Sequence, residues 1–112
     1  MPVISGQISV TANTRSGNIL AGEVFEFMPR TGFVNFLLTQ AVIGLEADIL
    51  VGGSAEALAA KLPIRAAANP FPVKPEDSMV IVGAVAGDRL FVDLRNGTGG
   101  DIVAQFLIEI AS

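Results

Sequence analysis

The sequence predicts an all-β fold, and three observations predict it. Short runs in which apolar and polar residues alternate recur about every ten residues, the spacing of a sandwich or barrel of about seven or eight strands. Gly, Pro or Asn separates the runs, as turns require. At 112 residues the chain is long enough for one core and too short for two, so residues 1–112 read as a single domain.

The elements follow in order. Ile4, Ile8 and Val10 alternate with Ser5, Gln7 and Ser9, so residues 3–11 read as a half-buried strand, with a turn at Asn13 to Asn18. Residues 19–28 read as the next strand, with Gly22 a candidate bulge and Pro29 to Gly32 the turn that closes it. Residues 33–41 and 44–51 make a pair divided near Gly44; Leu45, Ala47, Ile49 and Val51 share one face, and Glu46 and Asp48 point the other way.

Residues 54–62 are the one helix-like segment, with Ser54 as a candidate N-cap, Leu58 and Leu62 one turn apart, and Pro63 as the stop; so short a run is marginal as a helix, and an extended connection is the alternative in a β context. Pro63, Pro70, Pro72 and Pro75 then mark an extended edge or crossover, in which Phe71 and Val73 offer side chains to bury. Ser78 to Val85, Arg89 to Arg95 and Asp101 to Ala111 read as three strands of a meander, joined by hairpin turns at Ala86-Gly87-Asp88 and Asn96 to Gly100. Leu90, Val92 and Leu94 face inward against Arg89, Asp93 and Arg95, and Ile102, Ala104, Phe106, Ile108 and Ile110 repeat the pattern. Val103 and Leu107 make the last strand apolar on its other face too, as in a strand covered on both sides or used in a subunit contact.

Composition narrows the function. The chain is 51% apolar and only 16% charged, more apolar surface than a monomer of this size readily buries, which predicts a homo-oligomer or lattice subunit. An Ala- and Val-rich monomer is the plainer reading. The net charge is −4 and no two basic residues are adjacent, which disfavours nucleic acid as a partner. No apolar run approaches the roughly 20 residues of a membrane span, and the first residues have no basic, apolar-cored signal, so neither membrane nor secretion is expected.

The chemistry is sparse. The chain has no His, Cys, Tyr or Trp, which removes the commonest general base, the thiolate nucleophile and the soft metal ligands, so no enzyme, metal or cofactor is expected and no catalytic residue is assigned. Glu23/Glu26, Glu46/Asp48 and Glu76/Asp77 are the carboxylate pairs that acid–base work or Ca²⁺ could use, with solvated strand faces as the simpler account. Asp88, Asp93 and Asp101 lie near glycines without the spacing of a Ca²⁺ loop, and read as turn residues. The glycine clusters at 83–88 and 96–100 match no phosphate-binding pattern, and Asn96-Gly97-Thr98 fits a glycosylation acceptor. Phe25, Phe27, Phe33, Phe36, Phe91 and Phe106 read as core. Phe91 is the exception: it shares the outward face of Arg89 and Asp93 and, with Val103, Leu107 and the outward side chains of residues 3–11, forms the expected interface.

The closing stretch AGDRLFVDLRNGTGGDIVAQFLIEI, after the Pro-rich FPVKPED, resembles the last strands of small jelly-roll β-sandwich proteins of viral capsids, and the layout over about residues 19–111 resembles the decoration, or cement, proteins of tailed bacteriophages. The resemblance implies a jelly-roll-like sandwich on the virion surface that stabilises the shell by bridging subunits. Its partners would be copies of itself, in a trimer or another homo-oligomer, and a major capsid protein lattice. The acidic balance suits an external surface better than one lining a genome. A main shell-forming coat protein and a small-ligand or carbohydrate-binding β-module are the alternatives.

Overall fold

The computed structural model describes residues 3–23, 26–64, 72 and 78–111. Among these the chain forms eight antiparallel strands and no helix. They are β1 (Val3–Val10), β2 (Thr14–Asn18), β3 (Gly32–Gln40), β4 (Leu45–Val51), β5 (Ser54–Lys61), β6 (Ser78–Ala84), β7 (Leu90–Asn96) and β8 (Ile102–Ala111). They divide into two four-stranded sheets, β1-β8-β3-β6 (sheet A) and β2-β7-β4-β5 (sheet B), facing each other as a β-sandwich. The pairing is nested: first strand with last, second with seventh, third with sixth, fourth with fifth.

The alternating pattern builds the core. On sheet A, register brings Ile4, Ile108, Phe36 and Val80 into one inward row and Val34, Ile110 and Val82 into another. On sheet B, Ala47 and Ile49 lie beside Leu94 and Val92. Each such Leu, Ile or Phe, withdrawn from water, contributes roughly 1.5–3 kcal/mol, and the space between the sheets is filled by these side chains.

Two buried amides tie the sheets at one end. Gln40 Nε2 donates to Leu62 O at 2.9 Å while its Oε1 accepts from Leu45 N–H at 2.8 Å, so the end of β3 fixes the start of β4 and the exit of β5. Asn96 Nδ2 donates to Val10 O and Gly100 O, and its Oδ1 accepts from Thr98 N–H and Oγ1–H. Asn96 is 1% exposed, so its side chain is a structural bridge and not an accessible glycosylation site.

Several expectations are corrected. The helix expected at residues 54–62 is strand β5. Gly52 and Gly53, both at positive φ (60° and 85°), make the two-residue turn that folds it back on β4, and tertiary pairing overrides a weak local propensity. Among the described residues of the strand expected at 19–28, residues 19–23 and 26 form turns and bends, and Phe27 makes an isolated bridge to Arg89. Asn18 explains the break: its Oδ1 accepts from Val92 N–H and its Nδ2 donates to Leu90 O, occupying ladder positions on β7 that a continuing backbone would use.

The turn expected at Asn13 to Asn18 is strand β2 from Thr14 onward. It has no apolar residue and is held by polar bonds, among them Leu94 N–H to Ser16 Oγ at 3.0 Å. The last three strands are not a meander. β6 and β8 belong to sheet A and β7 to sheet B, so the loops at 85–89 and 97–101 cross between sheets; Asn96, bonded to Val10 of β1, turns the second of them. Of the phenylalanines expected in the core, Phe36 and Phe106 are buried, Phe91 is half-buried, and Phe27 and Phe33 are exposed. Phe25, the pair Glu76/Asp77 and most of the expected Pro-rich edge or crossover, Pro70, Phe71, Val73 and Pro75 included, lie outside the described residues.

Candidate association surface

The two outer faces of the sandwich differ in kind. The strands of sheet B carry Arg15, Glu46, Asp48, Glu56, Lys61, Asp93 and Arg95, whereas those of sheet A carry one ionisable side chain, Glu109.

On sheet B, Asp48 and Asp93 are opposed across β4 and β7, an arrangement that repels on its own. Arg15 from β2 resolves it, reaching Asp48 Oδ2 at 2.7 Å and Asp93 Oδ2 at 3.0 Å, while Arg95 lies 3.4 Å from Glu46 and 3.8 Å from Asp48. Asp48 also accepts from Ala59 N–H, and that bond, with the Arg15 and Arg95 guanidiniums, holds its carboxyl below the usual aspartate range against the opposing effect of burial. Glu26 is likewise lowered, first by Gly22 N–H and then by Arg89. The Glu46/Asp48 pair therefore belongs to a lattice of ion pairs, and Glu26 to a turn. Asp88 accepts from Val85 N–H within its own turn, as expected; Asp101 accepts from Ala12 N–H in the β1–β2 loop, and Asp93 lies in strand β7 and not in a turn. No group of three or more His, Cys, Asp or Glu residues arranged to hold a metal exists among the described residues.

On sheet A, register places Val3, Glu109, Asn35 and Ile81 in one outward row and Ala111, Phe33 and Gly83 in the next. Leu37 and Thr39, also outward-directed, are buried, so the exposed apolar side chains form the rim of the face: Val3, Phe33, Ile81 and Val103. Phe33 and Ile81 are 62% and 64% exposed and lie on adjacent strands, and large apolar side chains so placed mark contact surfaces.

The three interface residues expected from sequence are not brought together. Val103 and Leu107 share the outer face of sheet A; Phe91 lies on the opposite side of the sandwich, beside Leu50 and under Arg89, whose guanidinium carbon is 5.8 Å from the ring centroid. Comparison with known families, curated proteins and solved structures returned no match.

A concavity lies at the end of the sandwich, about 300 Å³ in volume, walled by Ile43, Leu45 and Thr98 and by the charged trio Glu46, Lys61 and Arg95. The trio sums to a net charge of +1, and Arg95 is already 3.4 Å from Glu46. Among the described residues no helix is long and apolar enough to cross a membrane.

Proposed function

We propose that this chain is a structural subunit of a viral shell, an external decoration or cement protein that associates through the outer face of sheet A. One observation carries the reading: the strands of sheet A hold a single ionisable residue and expose Phe33, Ile81, Val3 and Val103 on the rim of their outer face, whereas those of sheet B carry most of the ion pairs. A face with one ionisable side chain loses less by desolvation when covered than an ion-paired one, which is suited to stay in water. The nested strand order supports a finer description. It is the order of an eight-stranded ribbon wound into a jelly roll, an architecture that capsid and lectin domains share. The step from architecture to capsid is an analogy of fold.

The main alternative within the class is a shell-forming coat protein, and the net charge of −4 weighs against a surface that lines packaged nucleic acid. A sugar-binding module is disfavoured, because the chain has no Trp or Tyr on which a sugar ring stacks and the space between the sheets is filled. The test is immunolabelling of intact virus-like particles purified from the source of the gene. External decoration predicts labelling of unopened particles. Absence from particles, or labelling only after they are opened, contradicts it.

A further inference from the structure

We infer that the outer edge of β1 pairs antiparallel with β1 of a second copy of this chain, about a two-fold axis, joining two four-stranded A sheets into one of eight. The inference deepens the assembly reading and rests on it for its biological setting. Among the described residues the sandwich has four sheet edges, β1 and β6 in sheet A and β2 and β5 in sheet B. An open edge presents unpaired N–H and C=O groups to any other strand, and proteins that remain monomeric blunt theirs with bulges, charges or short strands.

Three of these edges are blunted. β5 departs from its register twice, carries Glu56 and Lys61, and turns Ala59 to a φ of 51°. β2 has five residues and a register shift between Arg15 and Asn18. β6 takes an extra residue, Met79, between its pairings with Phe36 and Leu37.

β1 has none of these devices. Its register with β8 runs unbroken from Val3↔Glu109 to Val10↔Ile102, and its eight residues include no charge and no proline. At about 3.4 Å per residue it is a straight edge of roughly 27 Å.

Charge and symmetry favour a second copy as the occupant. Two copies at −4 each repel in most approaches, but an approach along β1 sets an uncharged strand against itself. Side chains directly opposed in an antiparallel pair share a face, so the two-fold must pass through a residue position and not between two. The two registers that keep most of β1 paired set Gln7 opposite Gln7 and Ser5 opposite Ser9, or Gly6 opposite Gly6 and Ser5 opposite Gln7. In both registers the outward side chains of β1 at the seam, Val3, Ser5, Gln7 and Ser9, are uncharged, and the charge-poor outer face is continued across the dimer.

The chain has no cysteine, so an introduced one is the only thiol present. Cysteine is placed at Gln7 alone, or at Ser5 and Gln7 in two mixed chains, and the proteins are oxidised mildly. Opposed positions lie about 4.5–5.5 Å apart between Cα atoms, within disulfide reach. A covalent dimer forms rapidly in one of the two experiments and slowly in a Glu56→Cys control on β5. Gln7→Lys, which opposes two ammonium groups or sets them beside the seam, weakens the dimer dissociation constant by about fivefold or more while the circular dichroism stays that of the native protein. Equal cross-linking at β1 and β5, or a dimer indifferent to Gln7→Lys, overturns the pairing. A β1 dimer on a protein absent from particles refutes the capsid reading and keeps the pairing; a particle-bound protein with no β1 cross-link does the reverse.

Discussion

The backbone N–H of Ala59 donates to Asp48 Oδ1 at 2.8 Å, and Ala59 has a φ of 51°, a left-handed conformation that an L-residue with a Cβ adopts at a cost. One carboxylate thus anchors a strained bulge on edge strand β5 while its other oxygen binds Arg15. Replacing Ala59 by glycine removes the Cβ conflict and keeps the N–H. Ala59→Gly is expected to stabilise the protein by about 0.5–1 kcal/mol, read from the midpoint of urea unfolding. Asp48→Ala is expected to act oppositely and to speed amide exchange along β5 before other strands.

The same bond sets a pH dependence. Asp48 and Glu26 have folded-state pKa values below those of the unfolded chain, so near and below pH 4 the unfolded state binds more protons than the folded one. Their stabilisation is complete above the unfolded carboxylate pKa and is lost as pH falls through the folded values. Unfolding midpoints measured from pH 6 down to pH 2 are expected to be flat at the upper end and to fall below about pH 4; Asp48→Asn is expected to flatten the fall.

Gln40 is 1% exposed and satisfies two backbone groups, Leu45 N–H and Leu62 O. Gln40→Leu keeps the volume but strands both groups away from water. It is expected to destabilise the fold by about 2–4 kcal/mol, whereas a surface change such as Gln105→Leu costs little.

Gly44 has a φ of 146°, and a Cβ placed there falls 2.6 Å from Thr98 Cγ2 and 2.7 Å from Ile102 Cδ1. The β3–β4 and β7–β8 loops must separate to admit it. Gly44→Ala is expected to cost about 1–3 kcal/mol in thermal or chemical unfolding.

The faces of the sandwich are predicted to separate in their effect on association. Ile81→Asp and Val103→Asp charge the outer face of sheet A at exposed positions and are expected to weaken self-association or particle binding with the fold retained. Phe91→Asp lies on the opposite face and removes a ring packed under Arg89. It is expected to lower stability by about 1 kcal/mol or more and to leave association unchanged. Equilibrium sedimentation of the three variants beside the native chain distinguishes these outcomes.

The strands with a strict two-residue period were legible in the sequence. β1, β4, β7 and β8 fall within about a residue of their expected bounds, with the expected inward sets Leu45–Val51, Leu90–Leu94 and Ile102–Ile110. What was not legible is partnership. Alternation says which side chains are buried but not which sheet buries them, so three successive strands with one pattern read as a meander though β7 lies in the opposite sheet. β2 was missed because TRSGN is held by hydrogen bonds and an arginine instead of apolar side chains. The signal for β5 was present in Gly52-Gly53, a two-residue hairpin dipeptide ahead of SAEALAAK, and the alanine content masked it. For the candidate surface, Val103 on β8 is exposed and outward-directed, but the pairing of Phe33 with Ile81 at the other end of the sheet depends on the β1-β8-β3-β6 order that no local pattern encodes.

The central claim, that this chain works by association through sheet A, is tested most directly by light-scattering mass of the native protein over a concentration series at moderate salt. The account predicts a mass that rises to at least twice that of the chain, with Gln7→Lys and Ile81→Asp shifting the rise to higher concentration. A mass of one chain at every concentration, unchanged by either substitution, contradicts it.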